Sequence, residues 1–213
     1  MSELTLIIGN KNYSPWPLRP WLALKQTGQL FKEIRIPIHQ EHSLKEILKY
    51  SPSGRVPCLI DGEVKVWESL AICEYLAERF PKSNLWPADS KARAYARSIS
   101  NEMHAGFQAL RKNLPMNIRE RISKKIPADA QEDIDRIAGI WRDCRANYGK
   151  DGAFLFGHFT IADAMYAPIV TRFITYGINV DSVAQVYMET VLALPAMQEW
   201  TKAAAAEKEV ITH

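Results

Sequence analysis

The chain has 213 residues, and its 27 lysines and arginines nearly balance its 24 aspartates and glutamates, for a formal net charge of +3. This length allows one large or two small domains with a buried core. Basic and acidic residues are interspersed, so no tract predicts binding to nucleic acid or to an anionic membrane. The apolar runs are too short for a membrane span, and the N-terminus has no signal-peptide pattern.

The first part of the chain alternates predicted strands and helices. Leu4 to Ile8 is a compact apolar run that predicts a buried strand. Three prolines between residues 15 and 20 suit a loop that leads into a helix, and Gly28 is a good stop for that helix. A second strand is predicted from Phe31 to Ile38, and a short helix from Ser43 to Tyr50.

The stretch from Ser53 to Phe80 predicts a strand, a tight turn, a second strand and a helix. Cys58 to Ile60 is a short apolar run, and Asp61-Gly62 predicts a type I′ hairpin turn after it. A helix is predicted to begin at Glu68-Ser69. The N-terminus of such a helix presents backbone N–H groups that favour a small anion.

After residue 80 the pattern becomes helical. Residues 81–89 have the composition of a linker, and no strand pattern follows them. Helices are predicted at Asp89 to Leu114, at Asp129 to Tyr148, after a Thr160-Asp163 capping box, and near 183–194 and 195–207. We therefore expect a mixed α/β domain over residues 1–80 and an all-α domain over residues 90–213.

Cysteine and histidine usage bounds the chemistry. The cysteines Cys58, Cys73 and Cys144 have no CxxC or metal-ligand spacing, which predicts free, buried thiols in a reduced, cytoplasmic protein. The five histidines show no HxxxH or His/acid spacing, so we expect no metal site.

Two motifs in the first domain occur together in a known family. Val-Pro-x-Leu at residues 56–59, a hairpin, and Glu-Ser-x-Ala-Ile-x-x-Tyr-Leu at residues 68–76 resemble the glutathione-binding half of the cytosolic glutathione transferases. The predicted order of elements in residues 1–80 resembles a thioredoxin-like domain, and the helical second domain agrees with the same resemblance. By position, it implies that Pro57 is cis and that the backbone of Val56 pairs with the cysteine of glutathione. Glu68 and Ser69 would hold the γ-glutamyl end.

The resemblance places the group that activates the thiol in the loop between the first strand and the first helix. That loop offers Tyr13 and Ser14. Ser14 fits the serine-type pattern of the zeta- and theta-like classes, in which an arginine follows, here Arg19. Three alternatives remain: Tyr13 is the donor, neither side chain is, or Ser14 is a plain helix cap before Pro15 or Pro17.

Further binding residues follow by position. His42 and Arg55 are the candidates for the glycine carboxylate of glutathione, each set against an ordinary solvated side chain. Polar residues recur every three to four positions along the predicted long helix, which the resemblance places against the electrophile cleft but which could equally be solvated surface. The expected electrophile pocket consists of Trp16, Met103, His104, Gln108 and Arg111.

These observations predict a homodimeric transferase that adds glutathione, as co-substrate, to small hydrophobic electrophiles. The alternatives are a glutathione-dependent cis–trans isomerase similar to maleylacetoacetate isomerase, a peroxidase, or a non-catalytic module that binds glutathione or a hydrophobic ligand. The zeta-type pattern has a cysteine two positions after the serine, where this chain has Trp16. This departure argues against zeta-style isomerase chemistry and against glutaredoxin-like disulfide exchange.

Overall fold

The computed structural model describes residues 3–211, and the first part of this range folds as a sheet covered by helices. The strands pair in the order β2-β1-β3-β4, with β1 and β2 parallel and the other two pairs antiparallel. The elements are β1 (Leu4–Ile8), α1 (Pro15–Gln26), β2 (Phe31–Arg35), α2 (Ser43–Leu48), β3 (Cys58–Asp61), β4 (Val64–Trp67) and α3 (Ser69–Arg79).

The two faces of β1 are buried in different clusters. Leu6 and Ile8 pack in the main hydrophobic core, which also contains side chains of α1 and α3. Ile7 points the other way and packs with Ile47 of α2 and Cys58 of β3. This division follows from the period-two alternation of a strand, and a strand buried on both faces reads as a continuous apolar run.

The β3–β4 hairpin is confirmed, but its turn lies one residue later than expected. Asp61 pairs with Val64, so the two loop residues are Gly62 and Glu63. Of these, Gly62 alone has a positive φ, at 60°. That is the φ pattern of a type II′ turn, in which glycine occupies the first central position.

The rest of the described chain is helical, which confirms the expected all-α region. A 3-10 turn (Pro81–Ser83) leads into α4 (Ser90–Ala105), α5 (Gln108–Asn113), α6 (Ala128–Tyr148), α7 (Ile161–Tyr176), α8 (Ser182–Ala193) and α9 (Pro195–Ala206). Every residue of α7 except Ile174 is buried. Because α7 packs against α1, α4 and α8, it joins the helical region to the first helix of the α/β region.

The prediction of a single long helix from Asp89 to Leu114 is wrong, because the helix is interrupted between α4 and α5. Gly106 ends α4, and a Cβ there would lie 2.8 Å from the carbonyl oxygen of Glu102. Phe107 then takes a left-handed conformation with φ of 59°. The polar positions 101, 104, 108 and 111 therefore lie on two helices rather than on one continuous stripe.

The capping box before α7 is present and fully buried. The Asp163 carboxylate accepts hydrogen bonds from the Thr160 N–H at 2.7 Å and from the Thr160 hydroxyl at 3.0 Å. It also accepts the N–H of Leu155 at 3.1 Å. In residues 3–211, no helix is both long and apolar enough to cross a membrane.

Candidate functional site

A small cavity lies where the β3 entrance meets the start of α3. The Val56–Pro57 peptide bond that leads into β3 is cis. The cavity has a volume of about 70 Å³ and is lined by Trp16, Ser53, Arg55, Val56, Pro57 and Glu68. Ligand pockets usually measure about 300–1,000 Å³, so this one fits only part of a peptide-sized ligand.

Ser14 precedes α1 and lies beside this region. The chain packs closely here, since a Cβ added at Gly9 would lie 3.4 Å from the Ser14 Cβ and 3.3 Å from a Val56 methyl. In the described structure the Ser14 side chain makes no capping hydrogen bond. Pro15 and Pro17 occupy two of the first three helical positions and have no N–H to offer. The plain-cap interpretation of Ser14 therefore lacks its hydrogen bond.

Tyr13 is engaged elsewhere. Its hydroxyl accepts a hydrogen bond from Nη2 of Arg119 at 2.9 Å. The same guanidinium donates to the backbone carbonyls of Glu207 and Glu209, in the segment that follows α9. Tyr13 thus contacts the C-terminal segment, and neither Tyr13 nor Ser14 is among the residues that line the small cavity.

Glu68 and Ser69 form the start of α3. Glu68 has φ of 68°, in a region that non-glycine residues rarely adopt, and its side chain is half exposed. Ser69 is fully buried, and its hydroxyl has no hydrogen-bond partner within residues 3–211. An unsatisfied buried hydroxyl costs free energy, so a group that satisfies it binds favourably. Backbone strain of this kind occurs most often at functional sites.

Of the two candidates for the glycine carboxylate, the structure brings one to the cavity. Arg55 is exposed and lines it, and its N–H donates to the Ser53 hydroxyl at 3.3 Å. His42 is also exposed but precedes α2, and it is absent from the described lining of the cavity.

Trp16 connects the cavity to the helical region. Its ring packs edge-to-face against the His104 ring, with the centroids 5.5 Å apart. Two guanidiniums lie over the same indole, Arg19 at 4.5 Å and Arg111 at 4.9 Å from the centroid. Cation–π contacts of this kind fix the ring while leaving part of it accessible.

The remaining residues of the expected electrophile pocket do not form one cluster. Met103 is fully buried in the core, so its side chain cannot contribute apolar surface to a cleft. Gln108 is exposed and donates to the carbonyl of Ala105 at 2.9 Å. Arg111 donates to the carbonyl of Gly106 at 2.9 Å, and burial lowers its pKa. Arg111 therefore holds the α4–α5 break together as well as covering Trp16.

Sequence reasoning did not foresee the burial of Arg19. The residue is fully buried, and none of its guanidinium nitrogens has a hydrogen-bond partner in the described chain. Burial lowers the pKa of Arg19 well below its usual value, and the nearby Arg111 lowers it further. Burial also lowers the pKa of His104, and the positive charge of Arg19 adds to that shift. A lone arginine at helical spacing carries no sequence signal of such burial.

No group of three or more His, Cys, Asp or Glu side chains between residues 3 and 211 could hold a metal ion. The three cysteines are unpaired and buried. Burial raises the pKa of the Cys73 and Cys144 thiols far above their usual value, which keeps both thiols protonated. Burial also raises the pKa of Cys58, the cysteine that follows Pro57.

Comparisons with known proteins give a consistent result. A family model described as "Glutathione S-transferase, N-terminal domain" matches residues 13–79, and "Glutathione S-transferase, C-terminal domain" matches residues 94–203. A glutathione transferase homologue from Burkholderia, solved with bound glutathione, shares the fold with a TM-score of 0.71 and 24% identity. That comparison covers 96% of this chain and 100% of the other.

Two curated relatives match over part of their length. Glutathione S-transferase 1 of Dianthus caryophyllus is 33% identical over 54% of this chain and 50% of its own. A probable maleylacetoacetate isomerase of Caenorhabditis elegans is 41% identical over 45% of this chain and 44% of its own. The chain thus spans about half the length of these relatives.

Proposed function

Because the chain belongs to the glutathione S-transferase family, we propose that it activates the thiol of glutathione and adds it to small hydrophobic electrophiles. The observation that carries this proposal is the buried, unpartnered hydroxyl of Ser69 at the start of α3, next to a cavity lined by Val56, Pro57 and Glu68. These groups match the polar groups of a tripeptide.

Each part of glutathione has a matching group in this arrangement. In the proposed complex, Ser69 and the α3 N-terminus bind the γ-glutamyl carboxylate, and the exposed Glu68 carboxylate pairs with the ammonium. The backbone of Val56 pairs with the cysteine residue. Arg55 is the cation nearest the cavity and takes the glycine carboxylate. Since the cavity holds only about 70 Å³, the rest of the tripeptide lies along its open rim.

The hydroxyl of Ser14 is the proposed donor to the thiolate. Lowering a thiol pKa from about 8.5 to about 6.5 raises its ionised fraction at pH 7 by about 25-fold. The lower basicity reduces nucleophilicity by about eightfold, which leaves a net factor of about three. Most of the acceleration must then come from holding the thiolate next to the electrophile.

The proposed electrophile site is the face of Trp16 between the cavity and α4. The indole supplies apolar surface, and His104 and Arg111 bound it. An aromatic or lipid-derived electrophile with an electron-withdrawing polar group fits this mixture of apolar ring and positive charge. Met103 has no part in this version of the pocket.

The test is the ionisation of bound glutathione, followed by thiolate absorbance against pH. Ser14→Ala should raise the apparent thiol pKa and reduce conjugation more at pH 6.5 than at pH 8.5. Glutathione affinity should change little, because other residues hold the peptide ends. Tyr13→Phe is the matched control, and it should leave the thiol pKa unchanged because the Tyr13 hydroxyl already contacts Arg119.

If neither variant moves the thiol pKa, the donor is a backbone N–H. Within the first three positions of α1 this can only be the N–H of Trp16, since the other two are prolines. A failure of glutathione to bind at all would contradict the whole proposal.

The isomerase remains a second candidate because of the nematode relative, which is named a probable maleylacetoacetate isomerase. Such an enzyme also adds the glutathione thiolate to a double bond, then eliminates it after rotation. Assaying cis–trans isomerisation and conjugation side by side separates the two. A protein that binds glutathione but performs neither reaction would be the non-catalytic module.

We also propose a homodimer in the cytoplasm. The edge strand β4 exposes Val64 at 46% and Trp67 at 42%, and apolar side chains on an unpaired edge favour association. The unpaired, buried cysteines fit a reducing compartment. Light scattering of the wild type and of Trp67→Lys tests the dimer, with a monomeric variant as the expected result.

A further inference from the structure

The loop between β1 and α1 is held by a carboxylate from the other end of the chain. Glu207 directly follows α9, and its side chain is 6% exposed. Its Oε1 accepts the N–H of Lys11 at 2.7 Å, and its Oε2 accepts the N–H of Asn12 at 3.1 Å. Both oxygens of one carboxylate thus bind consecutive backbone amides, two and three residues before Ser14.

Other residues of the helical region hold the same loop. The side-chain Nδ2 of Asn12 donates to Asn117 Oδ1 at 2.9 Å, and the side-chain Oδ1 of Asn12 accepts the backbone N–H of Arg119 at 2.9 Å. The carbonyl of Lys11 accepts from the indole of Trp200 at 3.0 Å. These partners are neutral groups or backbone groups, whereas Glu207 supplies a pair of charge-assisted bonds, which are stronger. The Arg119 guanidinium supplies another charge-assisted bond, to the Tyr13 hydroxyl.

The position of Glu207 separates it from the proposed glutathione site. It is not among the residues that line the small cavity. Its other side-chain contact is Arg35 of β2, at 3.5 Å, and Arg35 also pairs with Glu209 at 2.8 Å. The Glu207 side chain therefore contacts the loop through the backbone N–H groups of Lys11 and Asn12.

We propose that Glu207 is a positioning residue, which holds the loop so that the Ser14 hydroxyl faces the bound thiol. This inference rests on the proposed function of Ser14. Ser14 and Val56 both lie close to Gly9, since a Cβ there would contact both residues, and the Ser14 N–H donates to the carbonyl of Asn10 at 2.9 Å. A displacement of about 1 Å at a reacting group can cost a large part of the rate.

The experiment compares Glu207→Ala and Glu207→Gln with the control Glu209→Gln. The control removes the same charge from the same segment and from the same arginine, but the described contact of the Glu209 side chain is with Arg35 and not with the loop. Glu207→Ala should raise the pKa of bound glutathione by about half a unit to one unit, which lowers the thiolate fraction at pH 6.5 by about two- to fivefold if the wild-type pKa is about 6.5. The thiol pKa in Glu207→Gln should lie between the values in Glu207→Ala and in the wild type, since the amide oxygen still accepts one N–H.

At pH 5.5, where the bound thiol is mostly protonated, the glutathione dissociation constant should stay within about twofold in all three variants, because the peptide ends are held elsewhere. Amide hydrogen exchange of Lys11 and Asn12 should accelerate in Glu207→Ala and not in Glu209→Gln. A purely structural role predicts a lower melting temperature with the thiol pKa unmoved, and that result would overturn the inference. Equal shifts of the thiol pKa in Glu207→Ala and Glu209→Gln would also overturn the inference.

The double variant Ser14→Ala/Glu207→Ala separates this inference from the proposed function. If Glu207 acts through Ser14, adding Glu207→Ala to Ser14→Ala shifts the thiol pKa no further. An equal shift in both backgrounds shows that Glu207 acts by another route and overturns the inference. A Ser14→Ala variant with an unchanged thiol pKa removes the donor assignment itself, whatever Glu207→Ala does.

Discussion

Glu68 and His104 meet across the boundary between the α/β and helical regions, with Oε2 and Nε2 3.8 Å apart. Burial and the charge of Arg19 lower the pKa of His104, whereas the nearby Glu68 raises it. In the proposed complex, Glu68 is the acidic side chain that pairs with the ammonium of glutathione.

Glu68→Gln should weaken glutathione binding by about 1.5–3 kcal/mol, because it removes an ionised acceptor from an ammonium partner. Isothermal titration calorimetry measures this directly. Glu63→Gln is the matched control, since it makes the same charge change in the exposed hairpin turn. Equal affinities in the two variants would place the ammonium elsewhere.

Ser69→Ala should separate binding from stability. The Ser69 hydroxyl is buried and unpartnered in the described protein, so its removal should leave the free energy of unfolding unchanged or slightly higher. Glutathione affinity should nevertheless fall by about 1–3 kcal/mol, because a bound carboxylate loses a donor. Urea denaturation and calorimetry on the same samples test both halves. A fall in stability with unchanged affinity would make Ser69 a structural hydroxyl.

Asp163→Ala should act on folding and not on chemistry. The change leaves the buried N–H groups of Thr160 and Leu155 without an acceptor, which should lower the free energy of unfolding by about 2–4 kcal/mol. Asp181→Ala removes a partly exposed cap from α8, so it should cost less, about 0.5–2 kcal/mol. The KM for glutathione should stay at the wild-type value in both.

Asp163 also predicts a pH dependence of stability. Burial raises the pKa of this carboxyl to about 6, above the value of about 3.9 expected in the unfolded chain. Between these values the folded state binds the proton more strongly, so this group's contribution to stability grows as the pH falls below 6. The advantage of the wild type over Asp163→Asn should be about 1 kcal/mol larger at pH 5 than at pH 7. Urea titrations at both values measure it, and an equal difference would contradict a raised pKa.

Trp16→Leu should alter the electrophile step alone. The change removes the ring that contacts His104, Arg19 and Arg111, and so should raise the KM for aromatic electrophiles by about five- to twentyfold, or about 1–2 kcal/mol. Glutathione affinity should change by less than about twofold. Steady-state kinetics with one aromatic and one aliphatic electrophile distinguish lost stacking from a general disturbance of the site.

Local patterns predicted the elements that are held by local chemistry. The buried strand at Leu4–Ile8, the hairpin and the capping box of Asp163 all depend on residues close together in sequence. The break at Phe107 was missed, because helical periodicity continues through residues 101–111 and a single glycine only weakly predicts a stop. The hairpin turn shifted by one residue because Asp61 pairs in β3, where Tyr75 donates to its carboxylate.

The contacts that the sequence could not reveal are those between distant parts of the chain. Met103 fits a cleft by its spacing, but the packing of α4 against α7 buries it. The sequence alone does not predict that Arg19 is buried, but in the structure it is fully buried and lies over the Trp16 ring. The hydrogen bonds of Glu207 join positions 196 and 195 residues apart, and no periodicity marks them.

Because Glu207 binds the loop between β1 and α1, the α/β region of one family member cannot be joined freely to the helical region of another. A chimera that joins residues 1–80 to the helical half of a relative would carry every residue proposed to touch glutathione. It would nevertheless lose the carboxylate that accepts the N–H groups of Lys11 and Asn12, because Glu207 follows α9. The relative that supplies the helical half must therefore have a carboxylate at the position of Glu207. Without it, Ser14 lies on a loop that lacks this pair of hydrogen bonds.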